Sequence, residues 1–176
     1  MIKDDDMLLS IKSNVEYGFK ILMEQFRVPV YWHIRRLVVY HSDAQDATQE
    51  TFIRVFRSID NFRGDSSLKS WIYRIATNEA MRLIEKRHDD YLSIDDENSE
   101  VLQLMADEYV DYEDVEAVKF QNAILSLPIK QQLAFNMRYY DEMEYDEIAK
   151  AIGSTMSSVK ASYHIAKKKI IQFMNK

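Results

Sequence analysis

The 176 residues carry a formal net charge of −6 and 47% apolar residues, with only 3 glycines, 2 prolines and no cysteine. That length holds one medium domain or two small ones, the glycine poverty nearly excludes phosphate-cradling loops, and the lack of Cys excludes disulfides, thiolate chemistry and Cys-ligated zinc, as suits a reducing cytosol. No apolar run approaches the ~18 residues that span a bilayer, and the opening MIKDDDMLLS puts acids where a secretory leader carries bases, so a soluble, intracellular, helical protein is expected.

In chain order, residues 14–27 place Val15, Phe19, Leu22 and Phe26 on one stripe, which predicts an amphipathic helix. Pro29 is expected to open a second helix, where a missing N–H costs nothing, running to about His41 with Ile34, Leu37 and Val38 inward. Ser42-Asp43 offers a cap for a third helix over residues 44–56, with Ala47, Thr51, Phe52, Val55 and Phe56 as its apolar positions. Turn formers around Gly64 make residues 58–66 a loop, and Ser66 or Ser67 can cap a fourth helix from Leu68 to about Arg87. Its 100° step puts Leu68, Trp71, Ile72, Ile75, Ala76 and Leu83 on one side. Ser70, Arg74, Thr77, Asn78 and Met81 face elsewhere, with Lys69 and Tyr73 at the border. Trp71 is therefore read as core. Glu79 falls inside the apolar stripe, where a lone carboxylate is costly, so a basic partner such as Arg35 or Arg36 is expected.

Charge is segregated along the chain. Residues 1–19 balance at −2, residues 20–87 at +4, residues 88–116 at −12 without a single Lys or Arg, and residues 117–176 at +4. The acidic block reads as a linker, either a solvated spacer or a segment with a short docked helix around Val101-Leu102-Gln103-Leu104-Met105. Beyond it, residues 115–126 and a stretch from Pro128 to Tyr140, with Leu133, Ala134 and Met137 inward, read as helices. Residues 145–152, the turn Gly153-Ser154-Thr155 and a last helix from Ser157 to about Phe173 follow the helix-turn-helix plan, over a core of Ile148, Ala149, Ile152, Val159, Tyr163 and Ala166. A helical scaffold that never touches DNA has the same spacing. There are no convincing strands and no internal repeats.

Catalytic patterns are missing. His33, His41, His88 and His164 are scattered, with no His-Glu-x-x-His spacing, nucleophile elbow or phosphate loop, and acid pairs such as Asp95-Asp96 lie in the linker. Neither an enzyme nor a cofactor is expected.

Three runs carry a family resemblance. Asp43-Ala44-Gln45-Asp46-Ala47-Thr48-Gln49-Glu50-Thr51-Phe52-Ile53-Arg54-Val55-Phe56 resembles region 2.2 of the extracytoplasmic-function (ECF) RNA polymerase sigma factors, and Phe62-Arg63-Gly64-Asp65-Ser66-Ser67-Leu68-Lys69-Ser70-Trp71-Ile72-Tyr73-Arg74-Ile75-Ala76-Thr77-Asn78 resembles their regions 2.3 and 2.4. Leu127-Pro128, Tyr145-Asp146-Glu147-Ile148-Ala149, Gly153, Val159-Lys160 and His164-Ile165-Ala166-Lys167-Lys168 resemble region 4. The match covers about residues 14–88 and 117–174, in the family's order.

The resemblance implies an all-α protein of two small domains: a four-helix region 2 domain over residues 1–88, an acidic linker over 89–116, and a helix-turn-helix region 4 domain over 117–176. It implies a factor that binds core RNA polymerase, through the β′ clamp coiled coil and the β flap, and directs it to promoter DNA. Asp43, Asp46, Gln49, Glu50, Phe52 and Arg54 would meet polymerase. Asn61, Phe62, Arg63, Ser66, Lys69, Tyr73, Arg74, Asn78 and Arg82 would meet the −10 element, with Lys86 and Arg87 along the phosphates. Ser157, Ser158, Lys160, Ala161, Ser162, His164, Lys167 and Lys168 would meet the −35 element, with Lys169 beyond them.

The sequence departs from the family where Arg is common but Ser162 and Ile165 stand, and where a Ser or Thr cap is common but Glu144 stands, which implies an unusual or weaker −35 contact. The acidic linker would mimic RNA in the polymerase exit path. An anti-sigma protein covering Phe52, Phe56, Phe135, Tyr139 and Tyr140 is a further implied partner, although helix packing explains the same residues. A helix-turn-helix regulator acting without polymerase is the alternative.

Overall fold

The computed structural model describes residues 2–38, 40–91 and 115–175, and for residues 87–91 the backbone alone. The chain divides into two compact units, the first over Met1–Glu85 with Lys150–Ile152 and the second over Lys86–Ala149 with Gly153–Lys176. Among the described residues the elements are helices: α1 (Asp4–Ser13), α2 (Val15–Arg35), α3 (His41–Ser58), a 3₁₀ turn (Ile59–Asn61), α4 (Leu68–Tyr91), α5 (Val115–Leu125), α6 (Ile129–Tyr139), α7 (Tyr145–Ile152) and α8 (Met156–Met174). None of these is long and apolar enough to cross a membrane.

In the first unit, α1 was not anticipated. Asn14 both closes it, donating its N–H to Ser10 O at 2.9 Å, and opens α2, accepting the Tyr17 N–H on Oδ1 at 3.0 Å. The two helices then pack at Gly18, where an added Cβ would lie only 2.4 Å from the Ile11 nitrogen and 2.5 Å from its Cα. Backbone is what it would strike, so glycine is required there.

Pro29 does not start a helix; it sits inside α2. An interior proline forfeits a backbone hydrogen bond and costs about 3 kcal/mol. Against that, Leu22, Phe26, Val30 and Ile34 recur every four residues and are all buried, so breaking the helix would forfeit a continuous apolar seam. The helix ends at Arg35 rather than near His41, and the buried Arg35 guanidinium donates to Val38 O at 3.1 Å across the turn.

The next helix begins at His41, earlier than expected, with Tyr40 in place of Ser42 or Asp43 at its cap position. Its buried set is Ala44, Ala47, Thr48, Thr51, Phe52 and Val55. Both threonines satisfy their hydroxyls locally, donating to Ala44 O and Ala47 O at 2.6 Å, which lets polar residues line an apolar seam.

On α4 the buried face is broader than a single stripe. Leu68, Ser70, Ile72, Tyr73, Ala76, Thr77, Glu79 and Ala80 are all buried, while Ile75 and Leu83 are only half-buried. A helix packed from two sides buries its border residues as well. Thr77 and Tyr73 enclose His33, whose Nε2 lies 2.9 Å from Thr77 Oγ1 and whose ring centroid is 4.8 Å from that of Tyr73.

The second unit packs Ala123, Ile124, Leu127, Phe135, Ala166 and Ile170 into one core, with Phe120, Tyr163, Phe173 and Met174 against it. Pro128 stands at the cap position of α6 and accepts the Gln131 and Gln132 N–H groups at 2.8 and 3.0 Å. Between α6 and α7 the chain passes through Glu142 at φ 53°, a left-handed conformation unfavourable for a residue with a side chain. Arg138 braces this turn: its Nη1 donates to Met143 O and to Glu144 Oε1, each at 2.9 Å, and its guanidinium lies 5.3 Å from the Tyr145 ring centroid. Of the acidic linker expected over 89–116, residues 89–91 close α4 and residues 115–116 open α5, while the remainder, 92–114, lies outside the described residues.

Candidate nucleic-acid interface

The outer face of α8 follows directly from its start. Thr155 accepts the Ser158 N–H at 3.2 Å, Gly153 takes the left-handed φ of 63° that ends α7, and the turn between them sets the phase of the last helix. Val159, Ala166 and Ile170 then point inward. Ser157, Ser158, Lys160, Ala161, His164, Lys167 and Lys168 are exposed and Ser162 is half-buried, so the expected −35 residues share the outward side. Ile165 and Lys169 are exposed beside them.

At the head of α7, Glu144 fulfils the role that a Ser or Thr cap would take. It forms a reciprocal capping box with Glu147, whose Oε2 accepts the Glu144 N–H at 3.0 Å. Its hydrogen bond raises the Arg138 guanidinium above its ordinary value, outweighing the opposing effect of burial. A raised cation contributes its full stabilisation below its unfolded value and loses it only in strong alkali, so this brace is indifferent to pH near neutrality.

In the first unit, residues 62–67 form a loop between the 3₁₀ turn and α4, with Gly64 at φ 77° near its tip. Asn61 and Arg63 are exposed, while Phe62 and Ser66 are half-buried. The Ser67 hydroxyl caps α4 by accepting the Ser70 N–H at 3.1 Å. Trp71, expected in the core, is instead half-buried at the loop, its ring centroid 5.3 Å from that of Phe62. Its place beside the loop in sequence was the available signal for this.

Along α4, Arg74, Asn78 and Arg82 are exposed at intervals of four, forming one outer ladder. Lys69 is half-buried with its Nζ 5.6 Å from the Tyr73 ring centroid. Tyr73 itself is 1% exposed, packed on His33, and so cannot present its ring to a base; its border position on the helix is covered by α2.

The partner of Glu79 is neither Arg35 nor Arg36. Glu79 is 6% exposed, and its Oε1 lies 2.9 Å from Arg54 Nε of α3 and accepts from Arg82 Nη1 at 2.9 Å. Arg54 also lies 3.0 Å from Glu50 Oε1. A charge chain therefore runs from the face of α3 to the outer ladder of α4.

On α3, Asp46 and Gln49 are exposed, Asp43, Glu50 and Arg54 are half-buried, and Phe52 is 4% exposed and points inward. Phe52 thus belongs to the core and leaves the candidate polymerase surface. Phe56, expected inward, is 49% exposed with its ring edge 5.1 Å (centroid to centroid) from Phe19, and Ile53 is exposed beside it. The outward face of α3 thus has an apolar centre flanked by Asp46, Gln49 and Arg57, a composition suited to a protein interface. Of the aromatic residues offered to an anti-sigma protein, Phe135 is buried in the second unit and Phe52 in the first, whereas Tyr139 and Tyr140 remain exposed. No cluster among the described residues brings together three or more His, Cys, Asp or Glu side chains able to hold a metal.

Comparison with known proteins agrees with this layout. The sigma-70 region 2 family model matches residues 22–89 and the sigma-70 region 4 model matches residues 117–170. ECF RNA polymerase sigma factor SigW of Bacillus subtilis is 28% identical, over 88% of this chain and 87% of its own. The ECF sigma-E factors of Haemophilus influenzae and Escherichia coli K12 are 26% and 27% identical, over 96% of this chain and 94% and 93% of theirs.

Two solved structures share the fold. CnrH, in complex with the cytosolic domain of CnrY, superposes with a TM-score of 0.73 at 17% identity, covering 98% of this chain and 97% of CnrH. The sigma factor RpoE of Bartonella quintana, in complex with the anti-sigma factor NepR, gives 0.71 at 19% identity, covering 89% of this chain and 96% of RpoE. With both regions matched in order and full-length relatives of one kind on either side of the comparison, the chain belongs to the ECF sigma factors of the sigma-70 family.

Proposed function

We propose that this protein is an alternative-type sigma factor, which binds core RNA polymerase and directs it to specific promoters for initiation. The observation that carries the reading is the order of region 2 and region 4 along one chain. A helix-turn-helix regulator working without polymerase has no use for region 2 and is not favoured. The relatives are sigma factors, and we infer a non-enzymatic role that needs no cofactor and is exercised in the cytoplasm, where polymerase works.

Within that role we assign the α3 face, Asp46, Gln49, Glu50 and Arg54 with Ile53 and Phe56 at its centre, to the β′ clamp coiled coil. The loop at 62–67 with Arg74, Asn78 and Arg82 is assigned to the −10 element: its backbone and the Asn61 side chain receive unpaired bases while the ladder follows phosphates. The face of α8 is assigned to the −35 major groove, and the second unit to the β flap. Ser162 and Ile165 carry no guanidinium, so one bidentate contact worth ~1–3 kcal/mol of discrimination is absent and an unusual −35 sequence is expected. Residues 1–88 and 117–176 are the two domains of this reading, with 89–116 joining them. An anti-sigma protein is the inferred regulator, by analogy with the complexes of RpoE and CnrH, and the exposed Phe56, Tyr139 and Tyr140 are available to it.

Run-off transcription tests the reading. Purified core polymerase should give promoter-specific product only when this protein is added. Specific duplex binding by the protein alone, with no effect on polymerase, would return the regulator alternative.

A further inference from the structure

The first helix lies ahead of the residues matched as region 2, and none of the surfaces assigned above includes it. Its packing gives it a task. Asp4, in the first turn of α1, accepts the backbone N–H of Leu68 on Oδ2 at 2.7 Å. Leu68 is the first residue of α4 and fully buried, so its N–H is shielded from solvent while the half-buried Asp4 is in place. The end of α4 that meets the loop therefore draws on acceptors of two origins, one local (Ser67, for the Ser70 N–H) and one supplied from 64 positions away.

The support behind Asp4 is stiff. Met7 and Ile11 of α1 are buried, Gly18 lets its backbone sit directly on α2, and the Ile2 N–H donates to Gln25 Oε1 at 3.0 Å. A carboxylate at a helix N-terminus is also the favourable sign of charge for the helix dipole.

We propose that Asp4 is a positioning residue for −10 recognition: by capping α4 from a different helix it fixes the loop at 62–67 in the shape that receives the promoter bases, which makes α1 part of the −10 apparatus. The proposal rests on the sigma-factor reading of that loop. Asp4 acts through the loop, with DNA contact left to the loop itself.

The test compares the full-length protein, Asp4→Ala and Asp4→Asn, each with core polymerase, at a promoter the protein initiates from and at versions altered in the −10 or the −35 element. Asparagine keeps an oxygen that accepts the Leu68 N–H. The expected result is that Asp4→Ala lowers discrimination at −10 about fivefold, the loss of one cap, while Asp4→Asn stays within about twofold of the parent. Discrimination at −35 and affinity for core polymerase stay unchanged in both, and amide exchange at Leu68 accelerates in Asp4→Ala alone. Unchanged −10 discrimination in Asp4→Ala overturns the proposal, and so does an equal fall at −10 and −35, which is what general loss of stability produces. Should the parent give no promoter-specific product at all, it is the sigma-factor reading that fails. The Leu68 exchange rate then still decides whether Asp4 holds the loop.

Discussion

The two candidate DNA surfaces are built on opposite plans. In the second unit, the proposed recognition residues lie along a regular helix whose cap, Thr155, is one residue ahead of it, and whose inward side chains Val159, Ala166 and Ile170 occupy the complementary phase. In the first unit, the surface proposed for the −10 element joins a loop to the α4 ladder and is held by groups drawn from elsewhere: at the loop by Asp4 of α1 and by Trp71 against Phe62, at the ladder by Glu79 between Arg54 and Arg82. A surface set by helical period depends on its own segment. One set by a loop depends on whatever clamps the loop, and its failures should originate at a distance.

The largest expected effect tests that dependence. Gly18→Ala drives a Cβ into the backbone of Ile11, so α1 must shift or leave; overpacking of this kind should cost about 3 kcal/mol of stability in urea unfolding. Base discrimination at −10 should fall with it while discrimination at −35 holds. An unaltered unfolding midpoint would mean that α1 contributes nothing to the first unit.

Thr155→Ala removes the local cap of α8 and should cost about 1 kcal/mol, with Thr155→Ser retaining most of it. Here the defect should appear at −35 alone. A matching loss at −10 would erase the contrast between the two plans.

The smallest structural effect belongs to Lys167→Ala, an exposed position whose replacement should leave stability within about 0.5 kcal/mol. It should weaken promoter binding evenly across −35 sequences and lower the slope of log affinity against log salt by about 1. A change confined to particular bases would make Lys167 a reader of sequence instead.

How far the chain could be read without its structure follows the same division. The outward residues of α8 were legible because Val159, Ala166 and Ile170 fix the phase of the helix, and seven of the eight candidates there are exposed. Tyr73 lies deeper than its border position suggests because a 100° step describes a helix with one buried side, whereas α4 has neighbours on more than one; the period of α3 places Phe52 inward, where it is, and only the resemblance puts it at the polymerase surface. Local cost favours Pro29 as a helix start, yet the seam through Leu22, Phe26, Val30 and Ile34 outweighs it. The period of α4 places Glu79 in the buried stripe and calls for a base, but its partners lie on α3 and one turn onward, where spacing alone does not point.

Composition, charge segregation and apolar period were enough to fix the helical class, the two basic blocks, the helix-turn-helix and the face of its last helix, since each depends on residues within a few turns of one another. Folding decided the rest: that Asp4 caps a helix beginning at Leu68, that Arg54 shares Glu79 with Arg82, that Phe56 faces out and Tyr73 in. Those outcomes turn on which helices come to lie side by side. A hydrogen bond or ion pair between distant segments leaves no periodic trace in the chain that makes it.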